Sequence, residues 1–286
     1  SMGFYVDAER GLVTEWAEKK NVEITESPCD ADIQPWGGYY YRGGIVMEGD
    51  FYMAAKGPSV PGNSTGVGGS MARFTINADH LYMLDAWNLH TADITNPSEL
   101  VKKSTNQLTW DIETIFPFED KLFIGSRSGM HIFSLENPAN PVKVSTYEHV
   151  RSCDPVVVNG TTAYVTLRSG TQCEGFTNQL EVINVADWSK PQLVKIYPMS
   201  NPHGLGIDQS LLFICDGNAG LKIYDATDQQ NIDKHLIKHY ENIHAFDVIP
   251  FDNVLMLIGE DGIFQYDYSD PTNIKLLSKL KIKGEE

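Results

Sequence analysis

The sequence predicts an all-β chain of repeated, antiparallel four-stranded units, and three observations carry that expectation. The first is an internal period. Residues 70–76 and Leu81-Tyr82-Met83 lie over residues 111–117 and Leu122-Phe123-Ile124 at a constant offset of 41. The second is a polar residue closing each similar apolar strand: Asp93, Ser134, Asn184, Asp225 and Asp267, spaced 41, 50, 41 and 42 residues apart, with one insertion in the longer interval. The third is the punctuation. Runs such as Met130-His131-Ile132-Phe133-Ser134-Leu135 alternate and are rich in β-branched and aromatic residues, and they end at Pro-containing turns such as Asn96-Pro97, Asn137-Pro138 and Asp270-Pro271. Four strands in just over forty residues is the arithmetic of a β-propeller blade.

Taken in order, residues 1–69 stand outside the pattern. Half of the 24 glycines fall there, and residues 57–69 are nearly all Gly, Pro, Ser and Thr, so that stretch reads as loop. Strand pairs are expected at residues 11–24 and 44–55, making 1–69 an irregular Gly-rich extension with hairpins packed on the propeller, or a sixth, partial unit. Residues 70–286 hold five repeats, at about 70–105, 110–147, 152–197, 202–240 and 244–282. Helical repeats are disfavoured because no 12-residue window in 70–282 keeps a 3.6-residue period without a Gly or Pro break.

Composition narrows the partners. With 42% hydrophobic residues the chain can build a core, and a net charge of −16 repels phosphate backbones and anionic headgroups, so no nucleic acid partner and no direct membrane insertion are expected. No apolar run approaches the roughly 20 residues of a spanning helix. Cys29, Cys153, Cys173 and Cys215 include no C-x-x-C pair, which argues against zinc ribbons and thioredoxin-type redox chemistry.

The strands Leu180-Glu181-Val182-Ile183-Asn184-Val185, Leu221-Lys222-Ile223-Tyr224-Asp225-Ala226 and residues 130–135, each followed by an Asn/Asp-Pro type turn, resemble the LVIVD repeat of bacterial and archaeal surface propeller proteins. The resemblance covers about 70–282. It implies an exported, envelope or surface protein, anchored through a segment upstream of this sequence, and further repeats there as well.

Propeller topology places the loops that enter each blade on the same face as the loops between its second and third strands. That face gathers the candidate ligand-binding residues Glu113, Arg127, Asp154, Arg168, His203, Asp216 and His244. Cys153 enters the third unit and Cys173 lies in its insertion, so both thiols share that face and form a candidate disulfide in an exported protein. Cys215, within an apolar strand, is expected to be buried. No metal site and no cofactor are expected: His235 and His239 fall on a strand, where residues four apart lie about 13 Å from each other. Gly62-Asn63-Ser64-Thr65-Gly66 matches G-x-S-x-G but lacks the flanking strand and helix of a nucleophile elbow. Walker, H-E-x-x-H and G-x-G-x-x-G patterns are absent. The sequence therefore favours a non-enzymatic propeller that binds a glycan or protein through one face. The alternative is a propeller enzyme acting on a glycan or small substrate at the channel mouth.

Overall fold

A computed structural model describes residues 68–282, apart from 97, 110, 151–154 and 170–176. Five four-stranded antiparallel sheets are arranged as the blades of a β-propeller. Blade 1 comprises β1 (Phe74–Asn77), β2 (His80–Leu84), β3 (Asn88–Asp93) and β4 (Val101–Gln107). Blade 2 comprises β5 (Ile112–Phe118), β6 (Lys121–Ser126), β7 (Gly129–Ser134) and β8 (Val142–Glu148). Blade 3 runs β9 (Val156–Asn159), β10 (Thr162–Leu167), β11 (Gln179–Asn184) and β12 (Gln192–Pro198). Blade 4 runs β13 (Leu205–Asp208), β14 (Leu211–Cys215), β15 (Leu221–Asp225) and β16 (Leu236–Tyr240). Blade 5 runs β17 (Ala245–Phe251), β18 (Val254–Gly259), β19 (Gly262–Asp267) and β20 (Lys275–Lys281). Within each sheet the strands pair in chain order. The first strands line the axis, each packed on the next from β1 through β5, β9 and β13 to β17. The expectations for residues 1–67 lie outside the described residues.

The repeat has a local chemical cause. Each of the polar residues that close the apolar strands accepts the backbone N–H two positions ahead: Asp93 from Thr95 (2.8 Å), Ser134 from Glu136 (3.3 Å), Asn184 from Ala186 (2.8 Å), Asp225 from Thr227 (2.9 Å) and Asp267 from Ser269 (2.9 Å). Such side-chain turns stop a strand and reverse the chain. Just before each of these residues, every blade carries a register shift between its third and fourth strands, at Thr91/Ala92, Ile132/Phe133, Val182/Ile183, Ile223/Tyr224 and Gln265/Tyr266. A bulge at one repeated place adds twist to the outer strand of each wedge.

Blades are joined by shared apolar cores. Tyr82, Leu84 and Leu89 of blade 1 pack with Ile115, Leu122 and Ile124 of blade 2, and Phe123, Met130 and Ile132 pack with Val158, Ala163 and Val165 of blade 3. Tyr164, Leu180 and Val182 meet Leu205, Leu212 and Ile214 of blade 4, and Phe213, Leu221 and Ile223 meet Val248, Leu255 and Leu257 of blade 5. Burying one such side chain contributes about 1.5–3 kcal/mol. Cys215 is a free, buried thiol in the last of these cores, as its apolar strand predicts.

Candidate functional site

The chain approaches blade 1 across the mouth of the axis. Ser70 Oγ donates to Asp247 Oδ1 (3.0 Å) and accepts the N–H of Leu205 (2.8 Å), tying this segment to blades 5 and 4, while Ala72 accepts the N–H of Ile115 in blade 2 (2.8 Å). The crossing is tight because Gly69 and Gly204 flank the Asp247 carboxyl. A Cβ on either would sit within 2.3 Å of its oxygens. Burial raises the Asp247 pKa to about 6, against opposing hydrogen bonds from the backbone at Val248 and Met71 and from Ser70.

Around this clasp stand five of the predicted residues. Arg127 Nε donates to Glu113 Oε1 at 3.0 Å. Arg168, from the next blade, is lowered in pKa by burial, and the Glu113 carboxylate acts against that. His203 is held by its own backbone: its N–H donates to the Cys215 carbonyl (2.7 Å) and its carbonyl accepts from Thr166 Oγ1 (2.6 Å). Its ring packs on Phe246 with centroids 5.3 Å apart. Burial, with Arg168 adding to it, lowers the His203 pKa to about 4, so the imidazole is neutral at ordinary pH. Asp216 is fully buried and accepts the N–H groups of Ser200 (3.1 Å) and Asn201 (2.6 Å) together with Lys222 Nζ (2.5 Å). This carboxylate is fully engaged, as a buried charge must be to avoid an uncompensated desolvation penalty.

His244 stands apart from these five. Its Nδ1 lies 3.3 Å from Glu260 Oε2, both side chains about half exposed, on a groove of about 510 Å³ lined also by Asn242, Asp261, Phe264 and Tyr266. Asp154, Cys153 and Cys173 lie outside the described residues, as do Trp110 and Arg151. Among the described residues, no cluster of three His, Cys, Asp or Glu side chains is placed to hold a metal ion, and no helix is long and apolar enough to cross a membrane.

Three residues of this face escaped the sequence reading: Ser70, Lys222 and Phe246. Lys222 did leave a signal. It occupies the same third-strand position as His90, His131 and Glu181, each a polar residue directly after a buried apolar one and each paired: His90 with Asp85 (2.8 Å), His131 with Thr146 (3.0 Å) and Glu181 with Tyr147 (2.8 Å). The contact of Ser70 with a residue 177 positions away leaves no such mark.

No protein-family model and no curated protein matches this chain. Solved structures do. The chain is similar to the computationally designed Ika8 protein (TM-score 0.51, 11% identity, 72% of this chain and 60% of that one). A protein from Lactobacillus plantarum aligns with TM-score 0.56, 12% identity and coverage of 72% and 73% of the two chains. The periplasmic gluconolactonase PpgL of Pseudomonas aeruginosa aligns with TM-score 0.54, 10% identity and coverage of 72% and 68%. At these identities the similarity establishes the fold alone.

Proposed function

We propose that this chain is a non-enzymatic, extracytoplasmic propeller of the LVIVD type that binds a glycan or protein ligand through the face bearing Glu113, Arg127, Arg168, His203 and His244. The observation that carries this reading is the division of labour among polar groups. The deep carboxylates are used by the fold, Asp216 by Lys222 and two backbone amides and Asp247 by the Ser70 clasp. The more accessible groups are Arg127 with Glu113, a partly buried ion pair, and His244 with Glu260, a half-exposed pair in the groove lined by Phe264 and Tyr266. An exposed polar pair next to aromatic faces, as at His244, suits recognition by hydrogen bonding and stacking. The extracytoplasmic setting rests on the repeat resemblance and on the likeness in fold to a periplasmic protein.

The test is an array of bacterial envelope polysaccharides and peptides probed with the purified chain and with the R127A/H244A double variant. Specific retention by the chain, weakened at least tenfold in a variant of unchanged melting temperature, is the expected result. Turnover of any arrayed compound that disappears in Glu113→Gln or His203→Ala would replace this reading with an enzymatic one.

A further inference from the structure

Five blades have four inter-blade cores among the described residues, and the missing one lies between blade 5 and blade 1. Strands β1 and β17, which would meet there, do not pack as the other neighbouring inner strands do. Because cross-strand partners share a face, the ladder registers show what each blade offers its successor. The central position of the second strand is Tyr82, Phe123, Tyr164 and Phe213 in blades 1 to 4, facing Thr75, Phe116, Val157 and Gly206 on the first strand. Tyr82, Phe123 and Phe213 are 0% exposed and Tyr164 3%. The equivalent residue of blade 5 is Met256, facing Ile249, and it is 40% exposed.

The fourth strand repeats the contrast. Asn106, Tyr197 and Tyr240 occupy one register position and each donates to a carbonyl of the following blade, at Pro141 (2.7 Å), Gln229 (2.7 Å) and Pro271 (3.2 Å). Tyr147, at the same position, donates to Glu181 of the following blade. In blade 5 that position is Leu280, which is apolar and 60% exposed. Ile258 and Ile263 complete a face with a core's composition and nothing described against it. Across the seam, blade 1 presents exposed Phe74 with half-buried Ile76, Leu81 and Met83.

We propose that this seam is the docking face for a sixth blade and that the chain preceding residue 68 supplies it. Two considerations select that occupant. The seam continues a series of four sheet-on-sheet interfaces in the same molecule, so what fits it is another sheet of the repeat, with an apolar side toward each neighbour. The 67 residues upstream exceed the 41 or so of one repeat, contain the two strand pairs expected at 11–24 and 44–55, and join the described chain at residue 68, where Gly69 and Ser70 already touch blade 5.

The full-length chain tests this, with the photo-crosslinking amino acid benzoylphenylalanine placed at position 256 in one preparation, at 280 in a second, and at Leu193, an exposed site on blade 3, as control. Irradiated protein is separated by size, digested and analysed by mass spectrometry. The expected result is crosslinking within one polypeptide from 256 or 280 to residues 1–67, absent from the 193 control. Crosslinks to residues 74–83 would mean the ring closes on five blades, and crosslinks between two polypeptides would mean a second copy fills the seam. Either outcome overturns the proposal, as does a yield no higher than the control. Should one substituted protein fail to fold, the other reads the same face.

Discussion

At the residue scale the buried titratable groups make opposite demands on pH. Burial lowers His131 and His203 to about 4, so both are neutral in the folded state and closer to 6.5 when unfolded. Their contribution to stability is therefore complete above pH 6.5 and lost as the pH falls toward 4. Asp247 is the reverse case. Its folded pKa of about 6 exceeds the ordinary 3.8, so the folded state favours its protonated form, and the stability this gives is present below pH 4 and lost as the pH rises through 6. The shift corresponds to about 3 kcal/mol. Comparing the chain with Asp247→Asn isolates that contribution: wild-type stability relative to the variant should fall by about this amount between pH 4 and 7, and a difference that stays flat would refute the assignment. In NMR titrations, the imidazole resonances of His131 and His203 should keep their neutral shifts down to about pH 5.

At the element scale, neighbouring blades approach as closely as side-chain volume permits. Gly206 on β13 stands where other first strands carry Thr75, Phe116, Val157 and Ile249. A Cβ there would meet Pro250 Cδ at 2.5 Å and the Val248 carbonyl at 3.0 Å. Gly206→Val must therefore push β13 from β17, with an expected loss of about 1–3 kcal/mol in denaturant unfolding. A variant as stable as the parent would mean the two strands have slack. The tyrosines between blades contribute a smaller, directional term. Tyr240→Phe deletes the donor to the Pro271 carbonyl and the acceptor for the Ile274 N–H, so about 1 kcal/mol should be lost, read from the same curves.

For the whole molecule, the buried residues of each of the four described cores come from one pair of adjacent blades, with half-buried Phe116 packed against two of these cores, so energetic coupling is expected to be mainly nearest-neighbour. Phe123 anchors the core between blades 2 and 3, and Phe213 that between blades 4 and 5. No residue belongs to both. Truncating either to Ala should cost about 3–5 kcal/mol, and the double variant should lose the sum to within about 0.5 kcal/mol. Strong non-additivity in calorimetry would instead show that one core senses a distant one. Because Phe213 lies two cores away from Phe123, this measurement also reports how far a disturbance travels around the ring.

The blade was legible because its determinants are local. An Asx-type turn, a two-residue hairpin and a period-two alternation each act within a few residues, so Asp93, Asn184 and Asp225 mark the repeat before any contact is known. Topology suggested a shared face for Glu113, Arg127, Arg168, His203 and Asp216 because loop positions recur with the repeat, and in the structure Arg127 pairs with Glu113 while Arg168 lies within electrostatic reach of both Glu113 and His203. Which polar groups that face keeps accessible and which the fold consumes was decided in three dimensions. Lys222 neutralises Asp216 from the neighbouring strand, and Ser70 reaches Asp247 across 177 residues. The sequence determined the wedge, since its forces are short-ranged. The tertiary structure decided the clasp, the paired carboxylates and the face of blade 5 that meets no other described blade, since these depend on which distant surfaces meet.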